Sequence, residues 1–201
     1  MNATYETQSS TNATQVREYD AIVIGAGVSG LYQLYKLREL GLKALVLESG
    51  SNVGGTWYWN RYPGARFDSE SWTYGYSFSE ELLKEWDWKE HFSPQPDTLE
   101  YLNLVADKFD LRRDMQFRSR VSAAHWSEAA NQWTVTLESG ETASARFLIT
   151  AIGILSAHTL PRIPGVESFR GPAWHPARWP HTPVDFTGKR VIVAGASRGI
   201  G

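Results

Sequence analysis

The first fifty residues combine short apolar runs with one helical pattern. An apolar run at 21–24 precedes leucines at positions 31, 34, 37 and 40, which are spaced as one face of a helix. A second apolar run follows at 43–47, and Gly41 stands where a helix of this length would end. The pattern predicts a strand, a helix and a second strand, which is the repeating unit of a parallel α/β sheet.

A second helix is predicted after residue 95. Asp97 is expected as its N-cap, with Glu100 three positions later, and apolar residues then recur at helical spacing as far as Phe109. Arginines follow this helix, and we expect them to form a solvated face. They are Arg112, Arg113 and Arg118.

The hydrophobic period then changes from helical to alternating, which indicates strands. Three strands are predicted, at 121–126, 132–137 and 146–152. The composition of residues 156–188, rich in Pro, His and Trp, is typical of a linker. A new apolar run at 189–195 predicts a further strand that leads into a second glycine-rich turn.

A glycine-rich turn joins the first strand to the first helix. Gly25, Gly27 and Gly30 have the spacing of a dinucleotide-binding turn, in which backbone approaches a pyrophosphate at a helix N-terminus. Glu48 ends the second strand, where the fold places a carboxylate that accepts hydrogen bonds from a ribose diol. Because an acid there repels a 2′-phosphate, we predict FAD or NAD at this turn and not NADP.

Composition excludes several functional classes. The formal net charge is −2, so no basic field indicates nucleic acid or an anionic membrane surface, and no apolar run is long enough to span a bilayer. The chain has no cysteine, which excludes disulfides, thiolate catalysis and a zinc ribbon. We expect no metal site, a disordered polar leader at 1–18, and a cytoplasmic protein. The oligomeric state is not predicted.

Aromatic residues are concentrated in the segment 51–79, which has no long periodic pattern. Two interpretations stay open: a loop packed on the core by its aromatic side chains, or an aromatic wall around a planar ligand. The aromatic residues in question are Trp57, Tyr58, Trp59, Tyr62, Trp72, Tyr74 and Tyr76.

Two motifs carry a family resemblance. The first runs from Gly54 to Asp68 with the sequence GGTWYWNRYPGARFD. The second lies between the two glycine-rich turns and consists of Phe169, Gly171, His175, Trp179 and Pro180. Together they resemble the type I Baeyer–Villiger monooxygenases, although Pro176 stands where that family usually has threonine. The resemblance covers about residues 19–190.

The resemblance implies a fold and a chemistry. The fold class is α/β, an FAD-binding Rossmann-like domain with three β/β/α layers and an inserted β-meander, followed by the first strand of a second dinucleotide-binding domain. The family uses NADPH and O₂, by way of a C4a-peroxyflavin, to convert ketones to esters or lactones. Its essential arginine has no counterpart within these 201 residues.

The resemblance also assigns residues. It implies that Arg66 and Asp68 border the flavin and NADP, with Asp68 as the partner of the missing arginine, and that the Phe169–Pro180 motif is a hinge between nucleotide domains. The residues implied to bind FAD are Gly25, Gly27, Ser29, Gly30, Glu48, Gly54, Gly55, Thr56, Trp57, Asp68, Tyr74 and Val121. Those implied to bind NADP are Arg66, Gly195, Ser197, Arg198 and Gly199.

The second glycine-rich turn departs from the family pattern. Gly195, Gly199 and Gly201 are spaced as in short-chain dehydrogenases, so a fused dehydrogenase from Lys189 stays an alternative. Gly195, Ser197 and Gly199 also match a hydrolase nucleophile elbow, without downstream triad partners.

The expected organisation is a leader at 1–18, the N-terminal part of an FAD-binding domain at 19–155, a linker at 156–188 and a truncated NADP-binding domain at 189–201. We therefore predict the N-terminal part of a Baeyer–Villiger monooxygenase, inactive as an isolated chain. The alternatives are an N- or S-oxidising flavin monooxygenase and a non-catalytic flavin- or nucleotide-binding remnant.

Overall fold

The computed structural model describes residues 16–194, which contain a mixed six-stranded sheet. The strands are β1 (Arg17–Ile24), β2 (Ala44–Leu47), β3 (Met115–Gln116), β4 (Val121–Ser127), β5 (Gln132–Leu137) and β6 (Thr142–Thr150). Across the sheet the strand order is β3-β2-β1-β6-β5-β4. β2 and β6 run parallel to β1, β3 runs parallel to β2, and β4 to β6 form an antiparallel meander.

Helices and short helical turns connect these strands. The α-helices are α1 (Val28–Glu39), α2 (Thr56–Trp59), α3 (Ser71–Tyr74), α4 (Glu80–Glu85) and α5 (Gln95–Lys108). The 3₁₀ turns are Arg112–Asp114, Val166–Ser168 and Pro176–Arg178. Among residues 16–194, none of the helices is long and apolar enough to cross a membrane.

Two apolar clusters lie on opposite faces of the parallel strands. Alternate residues of a strand point to opposite faces. Val23 of β1 therefore packs with Leu34 of α1 and Leu102 of α5, whereas Ile22 packs with Val135 of β5. Helices thus cover one face and the meander covers the other, which gives the three predicted layers.

β6 is longer than predicted, because it pairs on both sides. Its first half, from Thr142, pairs with β5, and most of its length, as far as Thr150, pairs with β1. The meander is therefore joined to the parallel sheet through one continuous strand.

The start of α5 was predicted wrongly. The helix begins at Gln95, and the N–H of Thr98 donates to the carbonyl of Pro94 at 3.1 Å, so Asp97 lies inside the first turn and is not the N-cap. Pro96 is tolerated there because N–H groups of a first turn have no partner within the helix.

The strand predicted from Lys189 is absent from the described residues 189–194. Val191, Ile192 and Val193 are all more than half exposed. A strand needs a neighbour for its backbone hydrogen bonds, and within 16–194 this segment is not paired with the sheet.

Candidate functional site

The glycine-rich turn between β1 and α1 has the predicted strand–turn–helix geometry. The N–H of Gly25 donates to the carbonyl of Leu47 at 2.8 Å, which anchors the turn to the end of β2. A Cβ on Gly30 would lie 1.8 Å from the carbonyl oxygen of Gly25. Only glycine lets α1 begin so close to the turn, which is the role predicted for the third glycine of the motif.

A second pair of glycines lies directly against this turn. The N–H of Gly54 donates to the carbonyl of Ala26 at 2.9 Å. Gly55 has a φ of +52°, and a Cβ there would lie 2.8 Å from the Cα of Gly27. The two loops therefore meet backbone to backbone, with no side chain between them. Glycines at these positions keep both loops free of side chains, which a binding loop needs for its backbone to approach a pyrophosphate.

Glu48 lies at the junction of the two loops and is only 4% exposed. One carboxylate oxygen accepts a hydrogen bond from the N–H of Ala26 at 2.7 Å, and the other accepts from the N–H of Gly50 at 2.6 Å and the hydroxyl of Ser49 at 3.2 Å. The predicted ribose acceptor therefore also holds the glycine-rich turn. Its second role was not apparent from the sequence, because the motif does not specify which groups the acid contacts before a ligand binds.

The aromatic residues after the second glycine pair pack mainly on each other. The indole N–H of Trp57 donates to the hydroxyl of Tyr74 at 2.7 Å, and Phe67 stacks on Tyr74 at 4.4 Å between ring centroids. Burial raises the pKa of Tyr74 above its usual range, although the hydrogen bond from Trp57 opposes this. Tyr76 donates to the carbonyl of Val28 at 2.5 Å. These contacts favour the packing interpretation of the aromatic segment over a ligand wall.

We expect Tyr74→Phe to destabilise the protein by about 1–2 kcal/mol, because the buried indole N–H of Trp57 then loses its acceptor. Urea unfolding measures this loss. Trp72→Phe is the matched control, since Trp72 is 59% exposed and its ring lies on His91. Equal stability of Tyr74→Phe and the native chain would show that the hydroxyl is not a structural acceptor.

Arg66 and Asp68 are exposed residues in an extended segment whose alternate members, Ala65 and Phe67, are buried. One terminal nitrogen of Arg66 donates to the carboxylate of Glu90 and to the carbonyl of Phe92, at 3.0 and 3.1 Å. Both predicted residues therefore lie on the protein surface. Their predicted roles beside flavin and NADP stay predictions.

The linker contacts the aromatic segment. The ring of His181 lies 5.2 Å from that of Tyr58, and the guanidinium of Arg178 lies 5.1 Å from the ring of Trp59. The Nδ1 of His175 accepts from the N–H of Ala177 at 3.1 Å, which requires a neutral ring nitrogen. Burial, helped by the nearby charges of His158 and Arg178, lowers the pKa of His175 and favours that state.

The remaining predicted residues occupy separate positions. Ser29 is exposed in the first turn of α1, Thr56 begins α2, and Val121 begins β4 opposite Leu137. Phe169 is exposed and lies against Gly171, while Trp179 packs near Trp174 and Phe186. The second glycine-rich motif lies outside the described residues. It comprises Gly195, Ser197, Arg198, Gly199 and Gly201.

Two polar residues near the site were not predicted. Gln95 donates from its side chain to the carbonyl of Trp57, and its N–H donates to the carbonyl of Ala65 at 2.7 Å. Arg112 binds Asn52, three residues before Gly55, although it was assigned to a solvated face. That assignment is wrong for Arg112, because its side chain is partly shielded from water and bonds to Asn52, which lies 60 positions earlier in the chain, beyond the reach of a local periodic pattern.

Comparison with known proteins agrees with this geometry. The sequence profile of the flavin-binding monooxygenase-like family matches residues 19–200. A Baeyer–Villiger monooxygenase of Pseudooceanicola batsensis is 47% identical over 94% of this chain and 34% of its own length. A phenazine N-monooxygenase of Lysobacter antibioticus is 46% identical over 88% of this chain and 33% of its own length.

A solved structure has the same fold. The crystal structure of OTEMO in complex with FAD and NADP superimposes with a TM-score of 0.76 and is 49% identical, over 81% of this chain and 31% of that one. The present chain thus spans about a third of the length of the proteins it matches. Because the family model matches residues 19–200 and these relatives share nearly half of their aligned residues with it, the chain belongs to the flavin-binding monooxygenase-like family, and its resemblance to the Baeyer–Villiger monooxygenases is confirmed.

Proposed function

We propose that this chain forms the FAD-binding part of a Baeyer–Villiger monooxygenase, which oxidises ketones to esters or lactones with NADPH and O₂. The observation that carries the proposal is the contact between the two glycine loops at the buried carboxylate of Glu48. Gly54 bonds to Ala26 on one side, and Glu48 bonds to Ala26 on the other.

The described residues fit a dinucleotide. Gly27 and Gly55 leave no room for a side chain between the two loops, because a Cβ added to Gly55 would lie 2.8 Å from the Cα of Gly27. The α1 helix starts at Val28, so its N-terminal N–H groups and dipole favour the negative charge of a pyrophosphate. A flavin held by this turn would supply the redox chemistry with O₂, while the protein orients it and excludes water.

Glu48 supplies the selectivity for the nucleotide. One of its oxygens accepts a hydrogen bond from the N–H of Ala26. Because a carboxylate oxygen can accept about two hydrogen bonds, the same oxygen can also accept one from a ribose hydroxyl. A 2′-phosphate would bring a second negative charge against a buried carboxylate. This supports FAD at the first turn and leaves NADPH to a separate site.

Further roles are proposed for surface residues and for the linker. Arg66 and Asp68 would meet the nicotinamide from the surface of the segment around Phe67. Their exposure suits contact with a part of the family fold that lies outside residues 16–194. His175 and Trp179 would couple the linker to the aromatic segment through the contacts of Arg178 and His181. A cytoplasmic location stays a prediction from the sequence.

A second candidate is an N-oxidising flavin monooxygenase. The Lysobacter antibioticus relative is named for N-oxidation and matches this chain almost as well as the Baeyer–Villiger relative does. Residues 16–194 therefore support a flavin-binding role equally well in either enzyme.

Titration of the purified chain with FAD tests the binding proposal. We expect flavin fluorescence to be quenched with saturation, and equal concentrations of NADP⁺ to displace little FAD. Failure of a folded chain to bind FAD would contradict the proposal and favour a non-catalytic remnant.

A chimera tests the reaction. Residues 19–190 of this chain would replace the matching segment of the Pseudooceanicola batsensis enzyme, and NADPH-dependent conversion of a ketone to its ester would be measured. Ester formation is the expected result. A chimera that binds FAD but consumes NADPH without forming ester would contradict a Baeyer–Villiger role for this segment.

A further inference from the structure

Arg112 is the centre of a polar network behind the second glycine loop. Its Nε donates to the carboxylate of Asp107 at 2.5 Å, and its two terminal nitrogens donate to the side-chain oxygens of Asn52 and Asn103 at 2.7 and 2.6 Å. The amide nitrogen of Asn52 also donates to the oxygen of Asn103 at 2.9 Å. The Arg112 side chain is 32% exposed, so the guanidinium is partly shielded from water.

The network is connected to the backbone of the glycine loop. The side-chain oxygen of Asn52 accepts the N–H of Val53 at 2.8 Å as well as the bond from Arg112. Val53 is fully buried in the core, and the next residue is Gly54, whose N–H bonds to Ala26 in the glycine-rich turn. A chain of bonds thus runs from Arg112 through Asn52 and Val53 to the contact between the two glycine loops.

The guanidinium suits this task better than an ammonium group. It presents its N–H groups in a rigid planar fork, so it can bond Asp107, Asn52 and Asn103 in fixed directions at once. Its bond to the oxygen of Asn52 also determines which way that amide faces, because only the oxygen can accept from both Arg112 and Val53.

We propose that Arg112 is a positioning residue for the flavin site: through Asn52 it holds Gly54 and Gly55 against the glycine-rich turn, without touching the ligand. This inference rests on the proposed FAD-binding function. The effect of Arg112 on the position of the loop can be measured without FAD.

The test compares R112M and R112K with R113M. Arg113 lies on the same 3₁₀ turn, but its guanidinium bonds to Asp110 and Asp114 and is 59% exposed. Amide hydrogen exchange at Val53 and Gly54 is followed by NMR without ligand, and FAD affinity is measured by fluorescence quenching. Denaturant unfolding verifies that each variant is folded under the assay conditions.

We expect R112M to raise exchange at both amides by about tenfold and to weaken FAD binding by about tenfold, because a released loop opens more often. R112K should give intermediate changes, and it serves as the test variant if R112M does not fold. R113M should match the native chain. In a double-mutant cycle of R112M with N52A, FAD affinity and amide protection in the double variant should fall little below those in either single variant. Both substitutions remove the same link between Arg112 and the glycine loop.

Exchange and affinity in R112M and R112K equal to those in R113M would overturn the inference. A native chain that does not bind FAD, while R112M still raises exchange at Val53 and Gly54, would refute the proposed function but leave the positioning of the loop by Arg112 intact.

Discussion

We expect Gly30→Ala to abolish FAD binding and to lower the free energy of unfolding by about 2 kcal/mol. The added methyl would lie 1.8 Å from the carbonyl oxygen of Gly25 and 2.9 Å from its carbonyl carbon, and these are backbone atoms that cannot rotate away. Overpacking typically costs up to about 3 kcal/mol, and a clash with fixed backbone atoms lies at the upper end of that range. Alanine recovers about 1 kcal/mol because it is the better helix former. The remaining loss is large for one methyl group, and it comes with displacement of the turn.

Gly75→Ala is the matched control for this substitution. Its added Cβ would meet the nearest atom at 3.6 Å, which is an ordinary van der Waals contact, and its φ of −68° suits alanine. We expect it to be neutral or slightly stabilising. Urea unfolding and FAD titration are measured on both variants. FAD affinity in Gly30→Ala equal to that in Gly75→Ala would mean that the turn does not need this close approach to bind the nucleotide.

The fold was largely predictable where local periodicity and burial agree. Leu31, Leu34 and Leu37 are buried as the helical spacing predicts. Leu40, which the same pattern includes, is 74% exposed, because α1 ends at Glu39 and Gly41 turns the chain away with a φ of +72°. Periodicity thus located the buried face of the helix but extended it by one residue.

Of the candidate site, only the residues of the dinucleotide-binding motif could be predicted from the sequence. Gly25, Gly30 and Glu48 follow a motif whose spacing encodes a geometry, and the structure brings them together. The link from Arg112 to Asn52 joins residues 60 positions apart by side-chain hydrogen bonds. No spacing rule covers such a pair, since it depends on how α5 packs beside the glycine loop.

Glu48→Gln should destabilise the protein by about 2–3 kcal/mol and weaken FAD binding by at least about tenfold. The two carboxylate oxygens face opposing backbone donors, the N–H groups of Ala26 and Gly50. Whichever way a glutamine amide turns, its NH₂ group meets one of these donors and leaves it without an acceptor at a buried position. Loss of a buried hydrogen bond to a charged group has this magnitude.

Measuring both stability and FAD affinity separates the two roles of Glu48. Glu128→Gln is the control, because Glu128 is an exposed residue of the turn between β4 and β5. If Glu48 both holds the turn and accepts from ribose, Glu48→Gln loses stability and also loses affinity under conditions where it is fully folded. A loss of stability with native FAD affinity would restrict Glu48 to holding the turn, and the nucleotide would then be selected by backbone groups alone. Native stability with reduced affinity would instead restrict it to the ligand, which the short bonds to Ala26 and Gly50 argue against.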